Sequence, residues 1–269
     1  MSVLTLIGER LNMNRECFRA AVIARDAAAV LLEARNQIAA GATHLELQPA
    51  YENSATELAD LLWLLETLLP ELQPATGIVL DMVNRECLES ALKIISSRPG
   101  TILNPSSARP EASADAVNLC IELAAKHNAG LIVLLSHDEG GKISRLARAE
   151  ELHRALLTAG VPGERQYFDP QVLPVAFDPQ LPRAILDDLR DLRQRLPQVH
   201  LAAGVSNISF NLPARGLLNR TYLAMLLASG IDTILCDPCD KLLRQSLAAS
   251  RALLGQDDFL AEYLEVFGS

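Results

Sequence analysis

Val199-His-Leu-Ala-Ala-Gly-Val-Ser-Asn207 is a short apolar run that ends on two polar residues, and its reading decides how the chain folds. A run of this length with no lysine, arginine or acidic residue suits a strand buried on both faces. After Asn207 comes a polar, proline-broken segment. It leads into Leu217 to Ser229, whose apolar residues fall at helical spacing and which Gly230 closes. The whole reads as one βα unit, with Ser206 and Asn207 delivered to the carboxyl end of the strand.

On either side the same unit recurs. Upstream runs are Leu4 to Ile7, Thr43 to Leu47, Gly77 to Leu80, Thr101 to Leu103, Leu131 to Leu135 and Gln166 to Phe168; downstream lies Thr233 to Leu235. Between them, apolar residues at i, i+3, i+4 and i+7 predict helices over Arg25 to Ala40, Ser54 to Leu69, Arg85 to Ser96, Ala112 to Lys126, Ser144 to Ala159, Leu181 to Leu196 and Asp240 to Leu254. Pro70, Pro99 and Pro197 stop three of these, because proline cannot continue the backbone bonding. Strict alternation of strand and helix demands a parallel sheet, and eight units in 269 residues fit a closed (β/α)8 TIM barrel. A doubly wound open sheet fits less well, since Gly8-Glu9-Arg10 does not open a Gly-x-Gly-x-x-Gly turn. No linker or repeat divides the chain, so residues 1–269 are expected to form a single domain, with Asp257 to Phe267 as a terminal helix outside the barrel.

Composition narrows the function. Twenty-four Lys and Arg against 33 Asp and Glu leave a net charge of -9, which disfavours nucleic acid as a partner. No uncharged apolar run is long enough to span a membrane, and the N-terminus has no basic, cleavable leader, so a cytoplasmic location is the expectation. Five cysteines, an odd number in strand-like and helical patterns, read as reduced, buried thiols. Cys236 and Cys239 have C-x-x-C spacing but no second pair for zinc, the histidines show no metal-ligand spacing, and no metal site is expected.

In a barrel the active site forms where the strands end. The residues there would be Glu9, Arg10, Asn12, Asp81, Asn104, Asp169 and Asn207, mostly amides and carboxylates. A carboxylate accepts two parallel hydrogen bonds from a guanidine-like edge, and an amide both donates and accepts across adjacent ring atoms. The inventory suits a neutral heteroaromatic ligand such as a pterin better than a phosphorylated one. Singly, a polar residue at a strand end more often caps the next helix. Glu9 and Arg10 also read as a structural ion pair, and Arg215 as a solvated surface residue. His137 with Asp138 has the composition of a catalytic dyad but stands in a glycine-rich loop.

Six motifs, Ile7-Gly-Glu-Arg-Leu-Asn12, Leu80-Asp-Met-Val-Asn84, Ile102-Leu-Asn-Pro-Ser-Ser107, Phe168-Asp-Pro-Gln-Val-Leu-Pro174, Gly204-Val-Ser-Asn-Ile-Ser209 and Leu218-Asn-Arg-Thr-Tyr-Leu-Ala-Met225, resemble those of methyltetrahydrofolate:corrinoid methyltransferases in the pterin-binding barrel superfamily. The resemblance covers nearly the whole chain, in order. It implies methyl transfer between N5 of methyltetrahydrofolate and the cobalt of a corrinoid, either free cobalamin or one carried on a partner corrinoid protein, and a homodimeric enzyme. By motif position Asp81, Asn104 and Asp169 would bind the pterin, with Glu9, Asn12 and Arg215 as further substrate contacts, and Asn207 would sit near N5 as the catalytic residue. The chain departs from the family at the second strand, where Asp-x-Asn is replaced by Glu46-Leu47-Gln48. Dihydropteroate synthase resembles the chain in the same way. That reaction requires a diphosphate site, for which its family presents a lysine on the seventh strand; here that strand has neither lysine nor arginine. A catalytically silent pterin-binding barrel is the remaining alternative.

Overall fold

The computed structural model describes residues 4–51, 56–95, 98–105, 114–135 and 144–268. Eight parallel strands close on themselves in chain order: β1 (Thr5–Asn12), β2 (His44–Gln48), β3 (Gly77–Leu80), β4 (Ile102–Leu103), β5 (Gly130–Leu134), β6 (Gln166–Asp169), β7 (His200–Gly204) and β8 (Thr233–Cys236), which pairs with β1. Around them lie α1 (Glu16–Ile23), α2 (Ala27–Ala39), α3 (Glu57–Leu68), α4 (Arg85–Ile95), α5 (Ala114–Lys126), α6 (Arg145–Thr158), α7 (Leu181–Arg195), α8 (Arg215–Ala228), α9 (Lys241–Leu253) and α10 (Ala261–Phe267). This is the expected (β/α)8 barrel, and closure leaves no strand edge unpaired.

Two regions differ from the sequence reading. The first strand does not stop at Ile7 but runs to Asn12, and α1 follows it where no helix was predicted. Only Phe18 and Val22 of α1 are buried, a pattern too brief to stand out as periodic. Arg25, with φ 53, breaks the path between α1 and α2, and the Asp26 carboxylate caps α2 by accepting the Ala29 N–H at 3.0 Å. At the other terminus, Asp258–Leu260 forms a 3-10 turn rather than the first turn of a longer helix, because Phe259 and Leu260 both have positive φ.

Strand alternation divides the core in two. Leu45, Leu47, Ile78, Leu80, Phe168, Leu201 and Ile234 point outward and pack with the helices, each buried side chain stabilising the fold by roughly 2 kcal/mol. Inside, Ile7, Val79, Ile102, Ile132, Tyr167, Ala202 and Leu235 form a separate plug, one residue from every strand but β2. At the level of Val79, β2 supplies Glu46 instead.

The N-terminal end of the barrel is closed by rings. His44 fills the space that Gly77 leaves, where an added Cβ would stand 2.0 Å from its Cδ2. Tyr167 and His200 stack with centroids 4.6 Å apart, and Asp232 joins His200 to Arg193. Burial pushes His44 down to about 4, with His200 adding to the effect.

Candidate active site

Two residues beyond the apolar plug, alternation turns Glu9, Asp81, Asn104, Leu134, Asp169 and Gly204 into the barrel at its C-terminal end. Sequence position alone thus builds a polar ring above an apolar floor. Within it, Asn104 Nδ2 donates to Glu46 Oε1 at 2.8 Å, both groups buried. Burial drives Glu46 well above the usual carboxyl range; Asp81 and Glu9 push it further, while Asn104 opposes.

Across the mouth, Asp169 ends β6 and is followed by Pro170 and by Gln171 in the left-handed region, φ 60. The resulting turn brings the Gln171 N–H onto Asp169 Oδ1 at 2.7 Å. Burial raises Asp169 to about 7, partly offset by that N–H. Asp169 and Asn207 line one cavity of about 370 Å³, whose other walls include Leu134, Val172, Leu173, Pro174, Phe177 and Phe210. Asp169, Val172 and Pro174 form its buried part, and Asn207, Leu173, Phe177 and Phe210 stand exposed along it. The β6 and β7 loops are tied into one wall, since Val175 N–H donates to Ile208 O at 3.0 Å.

Asn207 stands on a 3-10 turn, Val205–Ser209, directly after β7. Its Nδ2 lies 3.1 Å from where a Cβ on Gly204 would be, so the amide folds back into the ring position that glycine leaves open. The turn is held from two sides. Arg215 donates through Nε to Ser209 Oγ and through Nη2 to Ser206 O, both at 3.1 Å. The Ser206 side chain hydrogen-bonds Glu9, whose pKa is raised by burial first and by Asp237 second, against the opposing effects of Ser206, Arg15 and Arg215.

Of the residues expected at the site, Asp81, Asn104, Asp169 and Glu9 are brought to one end of the barrel, and Asn207 joins them from the loop. Glu9 and Arg10 do not pair with one another. Arg10 points outward to Glu33 on α2 and to Asp237, 2.6 Å away, because consecutive strand residues face opposite sides. A bulge between Gly8 and Leu11 adds one residue to β1 and turns Asn12 level with Gln48. There Asn12 Oδ1 accepts the Asn14 N–H at 2.8 Å, and Gln48 Oε1 accepts from Asn14 Nδ2 at 3.2 Å. Asn12 therefore shapes the β1 loop. Arg215, expected to meet a ligand or partner, commits its guanidinium to the Asn207 turn.

The expectation of uniformly buried thiols is corrected: Cys87, Cys120 and Cys236 are buried, but Cys17 is exposed on the unforeseen helix α1 and Cys239 is half-buried. All five are free. Among the described residues no cluster of three metal-ligating side chains occurs, and no helix is long and apolar enough to cross a membrane. The His137 and Asp138 pair and the Ser106-Ser107 end of the third motif lie outside the described residues. Missed by the sequence reading were the Gly204 vacancy, the supporting hydroxyls of Ser206 and Ser209, and the Phe177 wall. The only signal for the first was a glycine three residues before Asn207.

Residues 8–236 match the family described as pterin-binding enzymes. The methylcorrinoid:tetrahydrofolate methyltransferase of Eubacterium limosum is 25% identical, over 98% of this chain and 96% of its own length. Methionine synthase of Mycobacterium leprae is 28% identical over 85% of this chain, which spans only 20% of that longer protein. A dihydropteroate synthase from Coxiella burnetii, solved in complex with pteroic acid, superposes with a TM-score of 0.70 at 14% identity, covering 96% of this chain and 95% of that one, and shares the fold. The matched span takes in the carboxyl end of every strand and with it the polar ring: this chain belongs to the pterin-binding enzyme family.

Proposed function

We propose that this protein transfers a methyl group between N5 of methyltetrahydrofolate and the cobalt of a corrinoid, which is its second substrate. The observation that carries the reading is the meeting of Asp169 and Asn207 in one cavity of about 370 Å³, a carboxylate on one strand end and an amide on the next. The name of the Eubacterium limosum relative, which matches nearly end to end, supports the same pair of substrates.

In this reading Asp169 accepts parallel hydrogen bonds from the 2-amino-4-oxo pyrimidine edge of the pterin, and Asp81 and Asn104 hold the ring from the opposite side. Asn207 then faces N5. Methyl transfer to cobalt breaks the N5–C bond and leaves its electron pair on N5, which takes up a proton from solvent, while the cobalt supplies the electron pair of the new bond. The Asn207 N–H stabilises charge that develops on N5 only as the bond breaks, so it lowers the barrier more than it tightens binding. Its amide cannot surrender the proton itself. Exposed Phe177 and Phe210 beside Asn207 offer an apolar surface on which the ligand can pack. A separate corrinoid protein, a cytoplasmic setting and a homodimer remain expectations that rest on the sequence. A dihydropteroate-synthase-like reaction is disfavoured by β7, which has neither lysine nor arginine for a diphosphate.

The test is anaerobic spectroscopy of cob(I)alamin mixed with methyltetrahydrofolate and the protein. Loss of the cobalt(I) absorption with formation of methylcobalamin is expected. Absence of turnover with free cobalamin and with corrinoid proteins alike, while folate binds, would replace this reading with that of a silent pterin-binding barrel.

A further inference from the structure

Three carboxyl groups meet on the first three strands, and the deepest of them is Glu46, 5% exposed. Facing it are Glu9 from β1, Asp81 from β3 and Asn104 from β4; His44 lies two residues back on its own strand. Beyond Glu9 stand Asp237, Arg15 and Arg215, and those two cations act on Glu9. Glu46 itself forms no ion pair among the described residues; its hydrogen bond is the one from Asn104. An ionised carboxylate here would be a buried charge facing two other carboxyl groups with no cation paired to it among the described residues, whereas a neutral acid escapes most of that cost.

We infer that Glu46 is a positioning residue that keeps its proton at neutral pH: its carbonyl oxygen fixes the Asn104 amide, and its neutral carboxyl leaves one negative charge fewer beside Asp81 and Glu9 beneath the ligand. The direction in which burial and its neighbours move Glu46 agrees. The inference rests on the pterin reading for its consequence, since a seat with fewer anions on this side suits a neutral pterin ring. It also gives the second-strand departure a physical role. The Glu46 side chain is long enough to bring its carboxyl within 2.8 Å of the Asn104 amide.

The experiment compares the ligand-free wild type with Glu46→Gln by infrared difference spectroscopy across pH, and follows methyltetrahydrofolate binding to both and to Glu46→Ala by calorimetry. At neutral pH the difference spectrum is expected to contain the carbonyl band of a protonated carboxylic acid, lost as pH rises. Wild-type affinity should fall about tenfold as that band disappears, and Glu46→Gln, which cannot ionise, should show no such alkaline fall. Glu46→Ala should bind about tenfold more weakly at neutral pH, its Asn104 partner being gone. A difference spectrum showing only carboxylate bands at neutral pH, or an alkaline fall that persists in Glu46→Gln, would overturn the inference. If the wild type binds no methyltetrahydrofolate at any pH, the pterin reading fails, and the infrared band still decides whether Glu46 holds its proton.

Discussion

Asn207 occupies the place that Gly204 leaves in the ring of strand ends: a Cβ on Gly204 would stand 3.1 Å from Asn207 Nδ2. That distance is tighter than ordinary contact, so Gly204→Ala must displace the amide by a few tenths of an ångström. If the amide assists departure from N5, Asn207→Ala should lower kcat by about 100-fold with a much smaller change in folate affinity. Gly204→Ala should lower kcat about tenfold, and should add nothing in the Asn207→Ala background, because the displaced group is then absent. Single-turnover kinetics on the double-mutant cycle check this; additive losses would separate Gly204 from Asn207.

Arg215 is exposed, yet its two hydrogen bonds hold the turn that carries Asn207. Arg215→Ala is therefore expected to act on kcat, by about tenfold, more than on KM for methyltetrahydrofolate. Arg215→Lys should not restore the rate, since a single ammonium does not reproduce the planar fork that spans Ser206 and Ser209. A change confined to KM would return Arg215 to direct ligand contact.

Burial raises Asp169 to about 7, and a carboxylate that grips pyrimidine N–H groups must be ionised. Binding then releases a proton wherever the free site is protonated, so methyltetrahydrofolate affinity should rise as pH climbs through about 7. Titrations in buffers of differing ionisation enthalpy would register the released proton. Asp169→Asn should abolish the acidic limb and cost about 2 kcal/mol of binding, because an acceptor is exchanged for a donor. An affinity independent of pH would remove Asp169 from the ligand.

His44, at the opposite end of the barrel, is pushed from 6.5 down to about 4. The folded protein binds this proton less readily than the unfolded chain does. The contribution of neutral His44 is therefore fully present above pH 6.5 and is lost as pH falls toward 4, by about 3 kcal/mol across the window. The buried acids Asp169, Glu9 and Glu46 shift the other way and favour the folded state in acid. The comparison is thus between wild type and His44→Gln. Denaturant unfolding at pH 7 and pH 4.5 should show a smaller acid loss in the variant; identical losses would mean that His44 does not titrate in this range.

Much of the barrel was legible because its signals are local. Each apolar run ends in a polar residue and most helical patterns end in glycine or proline, and those punctuation marks survive any arrangement in space. Asp81, Asn104 and Asp169 were legible for the same reason, as the residues at which apolar runs give out. Helix α1 was not, since two buried residues in eight carry too little period. Nor was the outward turn of Arg10, which depends on β1 continuing past Ile7 and bulging before Leu11.

The order of residues along the chain was enough to specify the alternation of eight strands and eight principal helices, and with it the closed parallel sheet and the polar character of its C-terminal mouth. These come from periodicity, which is a property of neighbours in the chain. Folding in three dimensions was needed to bury Glu46 under Asn104, to set Arg215 as the brace of a turn, and to fold the Asn207 amide into the gap at Gly204. Those relations join residues by distance across the barrel, and how deep a carboxyl lies or which cation faces it depends on closure of the sheet, which no stretch of sequence contains.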